Sequence, residues 1–197
     1  MSGWPFDPLR PLTYGVILAD PPWRYQNWSR AGEHKNASAK YTCMDADSLM
    51  ALPVGQLAAP NAVCVMWATA PLLPLAVETL EAWGFTYKTA GAWAKQSKTG
   101  AKLAFGTGYL YRSAAEFFLL GTIGKPRHQV RNVRNLILAP VREHSRKPDQ
   151  MHADLERLFP GPRCELFARE RRSGWDCWGN EVDKFGAAER AGEAVVG

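Results

Sequence analysis

The hydrophobic pattern of this chain consists of short apolar runs separated by longer polar segments. Residues 16–19 and 62–68 are continuous runs of aliphatic and small side chains, which is typical of strands buried on both faces of a sheet. The pattern predicts six strands, at 14–19, 62–68, 85–95, 116–121, 135–139 and 163–169.

Three segments between these strands have the spacing of helices. Asp45 opens a short helix with an acidic first turn, and Pro74 fits the first turn of a second helix that Gly84 ends. A third helix opens at Lys147 and Pro148. Strands that alternate with helices or long crossovers predict an α/β fold with a mostly parallel sheet and helices on both faces. Residues 1–11 are predicted as an irregular arm and 24–40 as a long loop.

The composition limits the class of protein. The chain has 197 residues, of which 46% are hydrophobic and 22% charged, the balance of a globular domain with a full core. No apolar run could span a membrane, no apolar leader opens the chain, and the four cysteines lack metal-ligand spacing. We expect a cytoplasmic protein without a metal site, with one domain over 1–183 and a flexible tail over 184–197.

The net charge of +5 is unevenly distributed along the chain. Residues 95–147 contain eleven Lys and Arg against two acidic residues, a local net charge of +9 that leaves −4 for the remainder. Such a segment can be a solvated basic face, but it also suits a phosphate backbone. The candidate phosphate contacts are Lys95, Lys98, Lys102, Lys125, Arg127, Arg131 and Arg134.

The segment Asp20-Pro21-Pro22-Trp23 follows the first predicted strand and suits methyl transfer to the amine of adenine. Asp20 lies at the carboxyl end of that strand, where open α/β sheets bind ligands. The amine is a poor nucleophile, so its two N–H groups must be held by acceptors, which the Asp20 carboxylate and the Pro21 carbonyl offer. Pro22 stiffens the turn, and Trp23 offers a face for base stacking. We predict these four residues to be catalytic; the alternative is an ordinary proline turn capped by Asp20.

Further motifs occur downstream in a set order. They are Tyr41, Met66-Trp67, Trp83-Gly84, Trp93-Ala-Lys95, Gly106-Thr-Gly-Tyr109 with Arg112 and Glu116, Ser145-Arg-Lys-Pro-Asp149, Glu165-Leu-Phe-Ala-Arg169 and Gly179-Asn180. From about residue 14 to 182 the chain resembles the MT-A70 type of adenine methyltransferases, in their prokaryotic or phage branch. The resemblance implies a Rossmann-like fold that uses S-adenosylmethionine (SAM). It also implies a permuted, beta-class-like motif order in which the target-amine motif precedes the cofactor strand.

The resemblance also assigns roles to single residues. It implies that SAM is bound by Asp7, Asp20, Lys147, Glu165, Arg169, Asn180 and Glu181. It implies that Trp23, Tyr41, Arg112, Glu116 and Lys147 lie near the target nucleotide, with Lys95, Lys125, Arg127, Arg131 and Arg134 added as substrate contacts by their charge.

The sequence therefore predicts a SAM-dependent methyltransferase acting on the N6 amine of adenine in nucleic acid, with DNA favoured over RNA. The alternatives are an RNA adenine methyltransferase, a catalytically silent nucleic-acid-binding subunit, and an amine methyltransferase with another substrate such as a protein glutamine amide. We expect no separate target-recognition domain, so that sequence selectivity is loose or supplied by a partner. A homodimer or a complex with a partner subunit is a candidate assembly. We expect no membrane association.

Overall fold

The computed structural model describes residues 3–23, 44–143 and 146–185. The described chain forms a seven-stranded sheet in the order β5-β3-β4-β2-β1-β6-β7. Its strands are β1 (Tyr14–Ala19), β2 (Ala58–Ala68), β3 (Thr86–Gln96), β4 (Ala115–Ile123), β5 (Leu136–Pro140), β6 (Arg163–Leu166) and β7 (Asp176–Trp178). Its helices are α1 (Ala46–Met50), α2 (Leu73–Ala82) and α3 (Gln150–Leu158), with 3₁₀ turns at Val54–Leu57 and Ala70–Leu72.

The direction of the strands decides where the sheet can bind a ligand. Four of the six strand pairings are parallel, whereas β4 runs antiparallel to both of its neighbours, β2 and β3. The predicted mostly parallel sheet is therefore confirmed. Every strand except β4 ends at the same edge of the sheet, here called the carboxyl edge, and β4 begins there.

The central strands β1 and β2 are buried on both faces of the sheet, as their continuous apolar runs predict. In β1, Ile17 and Ala19 join the core on one face, which α1 and α2 cover, while Val16 and Leu18 join the core under α3. The connection from β1 to its neighbour β2 thus crosses one face of the sheet, and the connection that leads to its other neighbour, β6, crosses the opposite face. This arrangement makes the carboxyl end of β1 a topological switch point. None of the described helices is long and apolar enough to cross a membrane.

Two predicted elements differ from the structure near the end of the chain. The sixth strand was predicted to reach residue 169, but β6 ends at Leu166 because Phe167 adopts a left-handed backbone conformation with φ of 59°. Residues 175–181 were predicted only to be ordered, and they contain β7, which pairs with β6 in parallel. The predicted single domain over 1–183 stays a prediction, and residues 186–197 of the predicted tail lie outside the described residues.

The amino-terminal arm is irregular, as predicted, yet it is part of the core. Phe6 and Leu9 are buried, and the Phe6 ring packs edge-on against Trp178 of β7 with ring centroids 5.1 Å apart. The indole N–H of Trp4 donates to the Leu9 carbonyl at 2.7 Å and closes the arm on itself. The arm therefore covers the β7 side of the sheet.

Replacing Phe6 by Ala should reveal this role. We expect the free energy of unfolding to fall by about 3–5 kcal/mol, because the large ring is removed from a packed site. Urea unfolding followed by circular dichroism measures the effect. Leu138→Thr on an exposed strand position is the control and should change stability by no more than about 0.5 kcal/mol. Equal small losses in both variants would contradict the packing of the arm.

Candidate active site

The turn after β1 is fixed by backbone hydrogen bonds. The Asp20 N–H donates to the Leu166 carbonyl of β6 at 3.3 Å, so Asp20 continues the parallel pairing by one residue. The Pro21 carbonyl accepts the Trp23 N–H at 2.8 Å, and the Pro22 carbonyl accepts the Met44 N–H at 3.2 Å. A carbonyl oxygen has two lone pairs, so Pro21 keeps one for a further donor.

Trp23 belongs to the core rather than to an open surface. Its ring N–H donates to the Trp67 carbonyl at 2.9 Å, and only 8% of the residue is exposed. The base-stacking role inferred from the sequence stays a prediction. The contact that the structure shows is an anchor, which ties the proline turn to the end of β2.

Lys147 is the centre of the site. Its ammonium group donates to both carboxylate oxygens of Asp20 at 2.9 Å and lies 3.0 Å from Glu116 Oε1. The same group stands 5.6 Å from the centroid of the Trp67 ring, over which it makes a cation–π contact. All three side chains are largely buried. The three N–H groups of the lysine are therefore taken up by two carboxylates from different strands.

Further charges extend this contact in both directions. Lys95 at the end of β3 lies 2.9 Å from Glu116, and Arg169 lies 3.4 Å from Asp20 and 3.5 Å from Glu181. The result is a line of six side chains of alternating charge along the carboxyl edge, here called the charge row. Its members are Lys95, Glu116, Lys147, Asp20, Arg169 and Glu181.

The charge row keeps Glu116 and Lys147 ionised. Burial would raise the pKa of Glu116, but the charges of Lys147 and Lys95 outweigh burial and lower that pKa to about 2. Burial would lower the pKa of Lys147, but the carboxylates of Asp20 and Glu116 outweigh it and raise that pKa. Lysine and glutamate are thus both charged throughout the neutral pH range.

A pocket opens beside Asp20, between the ends of β1 and β6 and the start of α3. Glu165 lines this pocket, and its carboxylate lies 2.8 Å from Nε2 of His152, a buried residue of α3. The His152 ring packs edge-on against Trp175 at 5.0 Å, which fixes its orientation. One oxygen of Glu165 is thus held by His152, at the wall of the pocket.

The segment that carries Lys147 is braced by arginine–carboxylate pairs. Arg142 donates to Asp149 at 2.7 Å and to the Lys147 carbonyl, and Arg172 also contacts Asp149. Arg146 donates to both oxygens of Glu170 at 3.0–3.1 Å. These contacts hold the polypeptide on both sides of Lys147 and so fix the position of its side chain.

Some of the remaining predicted residues line the pocket or belong to the charge row, and others do neither. Asp20, Lys147, Glu165 and Arg169 line the pocket, and Glu116, Lys95 and Glu181 adjoin it through the charge row. Asp7, Arg112 and Asn180 are exposed, and the pocket lining does not include them. Tyr41 lies outside the described residues.

The two groups of basic residues do not form one track. Lys95, Lys98 and Lys102 lie at the carboxyl edge, where β3 ends. β4 then runs in the opposite direction for nine residues, roughly 30 Å of strand, before the loop that carries the second group. That loop begins against Asn61 at the start of β2 and packs on the end of α3 through Gln129. Contact of its members with nucleic acid stays a prediction, but they lie away from the site: Lys125, Arg127, Arg131 and Arg134.

Several residues at the site were not found from the sequence. His152 follows Met151 on the predicted buried face of a helix, and a polar residue there was a usable signal. Arg142 gave none, and Arg146 and Phe167 lie within two of the quoted motifs but received no role, because their roles depend on pairing and backbone turns between distant segments.

A ligand pocket at the switch point of a mostly parallel sheet with helices on both faces defines a Rossmann-like α/β protein. The MT-A70 family model matches residues 14–181. The chain belongs to the MT-A70 family of methyltransferases, which confirms the resemblance seen in its motifs.

Three relatives illustrate this relationship. The type II methyltransferase M.MunI of a Mycoplasma species is 33% identical over 90% of this chain and 81% of its own length. The N(6)-adenosine-methyltransferase MT-A70-like protein of Arabidopsis thaliana is 33% identical over 87% of this chain. The human N(6)-adenine-specific methyltransferase METTL4 is 28% identical over 88% of this chain. The chain spans 24% of the Arabidopsis protein and 38% of METTL4, but most of M.MunI.

Glu116→Gln tests the charge row through its pH dependence. At pH 7 we expect the free energy of unfolding to fall by about 1–3 kcal/mol, because Lys147 and Lys95 lose a charged acceptor. Folding lowers the pKa of Glu116 from its ordinary 4.5 to about 2, so its stabilisation is complete above pH 4.5 and is lost as the pH falls toward 2. The difference between variant and wild type should therefore shrink over that interval.

Urea unfolding at several pH values between 7 and 2 measures this difference. Glu81→Gln, on the exposed side of α2, is the matched control and should follow the wild type throughout. A Glu116→Gln deficit of constant size down to pH 2 would show that the carboxylate is not stabilised by the row.

Proposed function

We propose that this protein transfers a methyl group from SAM to the exocyclic N6 amine of adenine in nucleic acid, with DNA as the preferred polymer. The observation that carries the proposal is the position of the Asp20 carboxylate and the Pro21 carbonyl, next to each other at the switch point. Membership of the MT-A70 family supports the reaction class, and the name of METTL4 supports adenine N6 as the acceptor.

Asp20 and Pro21 are proposed to hold the amine by its two N–H groups. Lys147 and Arg169 occupy part of the Asp20 carboxylate, but two oxygens offer about four acceptor positions, so one stays available. Two fixed acceptors favour the pyramidal amine, whose lone pair is free to attack. Because an attached methyl makes the amine acidic, Asp20 needs to accept a proton only after the attack.

The pocket beside Asp20 fits SAM by the chemistry of its lining. Arg146 and Arg169 carry guanidinium groups that suit a carboxylate, whereas Asp20 and Glu165 are acceptors that suit ammonium and hydroxyl groups. When bound, SAM supplies a methyl group made electrophilic by its positively charged sulfur. Arg171 pairs with Asp183, and Arg172 pairs with Asp149. Both arginines therefore already have carboxylate partners within the protein.

The preference for DNA rests on the relative that the chain matches over most of its length. That relative is the type II methyltransferase M.MunI, of which the chain covers 81%. RNA is the second candidate, because the Arabidopsis relative is named for adenosine and the zebrafish relative METTL3 is named as a subunit of such an enzyme. A catalytically silent subunit is disfavoured, because Asp20 and Lys147 are both present and in contact.

The test is methyl transfer from labelled SAM to duplex DNA, single-stranded DNA and RNA offered separately. Digestion and mass spectrometry then identify the modified nucleoside. N6-methyladenine from DNA is the expected product. N6-methyladenosine from RNA alone would reverse the polymer preference. Product from none of the three, with SAM bound, would refute the proposed activity of the isolated chain.

Asp20→Asn and Asp20→Ala should remove turnover while SAM binding stays measurable. The neutral variants lose the charged acceptor for the amine, and we expect the rate to fall by at least about a hundredfold, the range of a lost transition-state contact. Asp47→Asn, on the exposed first turn of α1, is the control for loss of one carboxylate. A variant at Asp20 with most of the wild-type rate would show that the carboxylate does not hold the amine.

His152 is proposed as a positioning residue that orients Glu165. His152→Phe keeps the packing on Trp175 but removes the hydrogen bond, so the Kd for SAM should rise about tenfold with little change in kcat. His152→Gln retains an N–H donor and should recover part of the affinity. Titration calorimetry gives the Kd and steady-state assays give kcat. Equal losses for Phe and Gln, or a loss in kcat alone, would exclude the positioning role.

A further inference from the structure

The loop between β3 and β4 exposes an unusual number of apolar side chains. Within residues 97–114, here called the edge loop, Leu110 is 96% exposed, Tyr111 89% and Phe105 69%, and Leu103 and Tyr109 are also exposed. Large clusters of exposed apolar side chains are rare on monomeric proteins and usually mark a surface that binds another molecule.

The edge loop holds these side chains on an ordered backbone. The Ala104 N–H donates to the Lys95 carbonyl and the Gly106 N–H to the Ser113 carbonyl, both at 2.8 Å. At Gly108 the chain passes so close to Tyr111 that an added Cβ would lie 2.0 Å from the Tyr111 carbonyl oxygen. The segment that carries Tyr111 is therefore a tight turn with a defined backbone.

The charge of the edge loop indicates its ligand. Lys98, Lys102 and Arg112 lie in it, and no Asp or Glu occurs from residue 97 to 115. A symmetric contact with a second copy of this chain would set these cations against their equivalents, which is unfavourable. Cations interleaved with aromatic rings are instead the pattern of surfaces that bind single-stranded nucleic acid.

The edge loop is also continuous with the candidate active site. The strand that enters it ends with Lys95, and the strand that leaves it begins with Glu116, and both residues belong to the charge row. A polynucleotide lying along the edge loop would therefore have its next nucleotide at the carboxyl edge, beside Asp20.

We propose that the edge loop binds the unpaired nucleotides that flank the target adenine, which rests on the proposed function. The rings of Phe105 and Tyr111 stack on bases, while Lys98 and Lys102 contact phosphates. This gives the enzyme a single-stranded binding surface next to its site. The basic residues of the loop at 124–135 play no part in it, because they lie away from the carboxyl edge.

The first test measures binding of a labelled single-stranded adenine-containing DNA oligonucleotide to the full chain by fluorescence anisotropy. The double variant Phe105→Ser/Tyr111→Ser should bind about 5- to 100-fold more weakly, the loss expected for one or two stacked bases, with an unchanged Kd for SAM. Phe105→Tyr/Tyr111→Phe keeps both rings and should bind like the wild type. Tyr87→Ser, an exposed tyrosine of β3 far from the edge loop, is the control for loss of a surface ring.

The second test uses the salt dependence of the same binding. Lys98→Glu/Lys102→Glu should lower the slope of log Kd against log salt by about one to two, as expected for two lost phosphate contacts. Arg127→Glu/Arg131→Glu has the same change of charge away from the carboxyl edge and should leave the slope closer to that of the wild type. Equal slopes for the two double variants would overturn the assignment of phosphates to the edge loop.

Sedimentation velocity separates this proposal from a protein–protein contact. A wild-type dimer that the Phe105→Ser/Tyr111→Ser variant converts to a monomer would assign the edge loop to a second copy and overturn the proposal. Unchanged oligonucleotide affinity in that variant would overturn it too, while methyl transfer by the wild type would leave the proposed function standing. Weaker binding by the variant, together with a wild type that transfers no methyl group, would instead refute the proposed function alone.

Discussion

A buried ammonium group governs the construction of the carboxyl edge. Removing Lys147 from water costs several kcal/mol unless carboxylates surround it. Those carboxylates are Asp20, the residue that follows β1, and Glu116 of β4. The two strands are not adjacent, because β2 lies between them. The ion pairs therefore require the sheet register, the proline turn and the braced segment before α3 all to be correct, and they link the chemistry of the site to the fold.

The single antiparallel strand explains which loops can serve the site. Because β4 runs against its neighbours, its first residues bring Glu116 to the carboxyl edge, whereas its last residues lead away from it. The hydrophobic run from 116 to 121 is the same in either direction, so it predicts a strand but not its direction. Charge counted along the sequence therefore suggests one basic surface where the structure has two.

Local signals were sufficient for most elements of the fold. The apolar run before Asp20, the Asp45 side chain that caps α1 and the left-handed Gly84 after α2 each act within a few residues, and each was predicted. Long-range features were not predictable in this way. The turn at Phe167, which bends the chain so that Arg169 reaches Asp20, places a side chain in a conformation that costs about 1–2 kcal/mol and that packing against Trp178 must offset.

The Asp-Pro-Pro-Trp segment shows how one motif joins folding and chemistry. From the sequence, Asp20 and Pro21 are predicted to hold the amine, Trp23 to stack on the base, and Pro22 to stiffen the turn. The structure shows what these residues do for the fold: Trp23 anchors the turn to the Trp67 carbonyl of β2, while Asp20 receives the cations of the charge row. The Trp67 ring in turn lies under the Lys147 ammonium. Trp23 and Trp67 thus fix the positions of the Asp20 carboxylate and the Lys147 ammonium relative to each other. The proposed site needs this because Asp20 and Pro21 act by holding the amine in place and not by strong basicity.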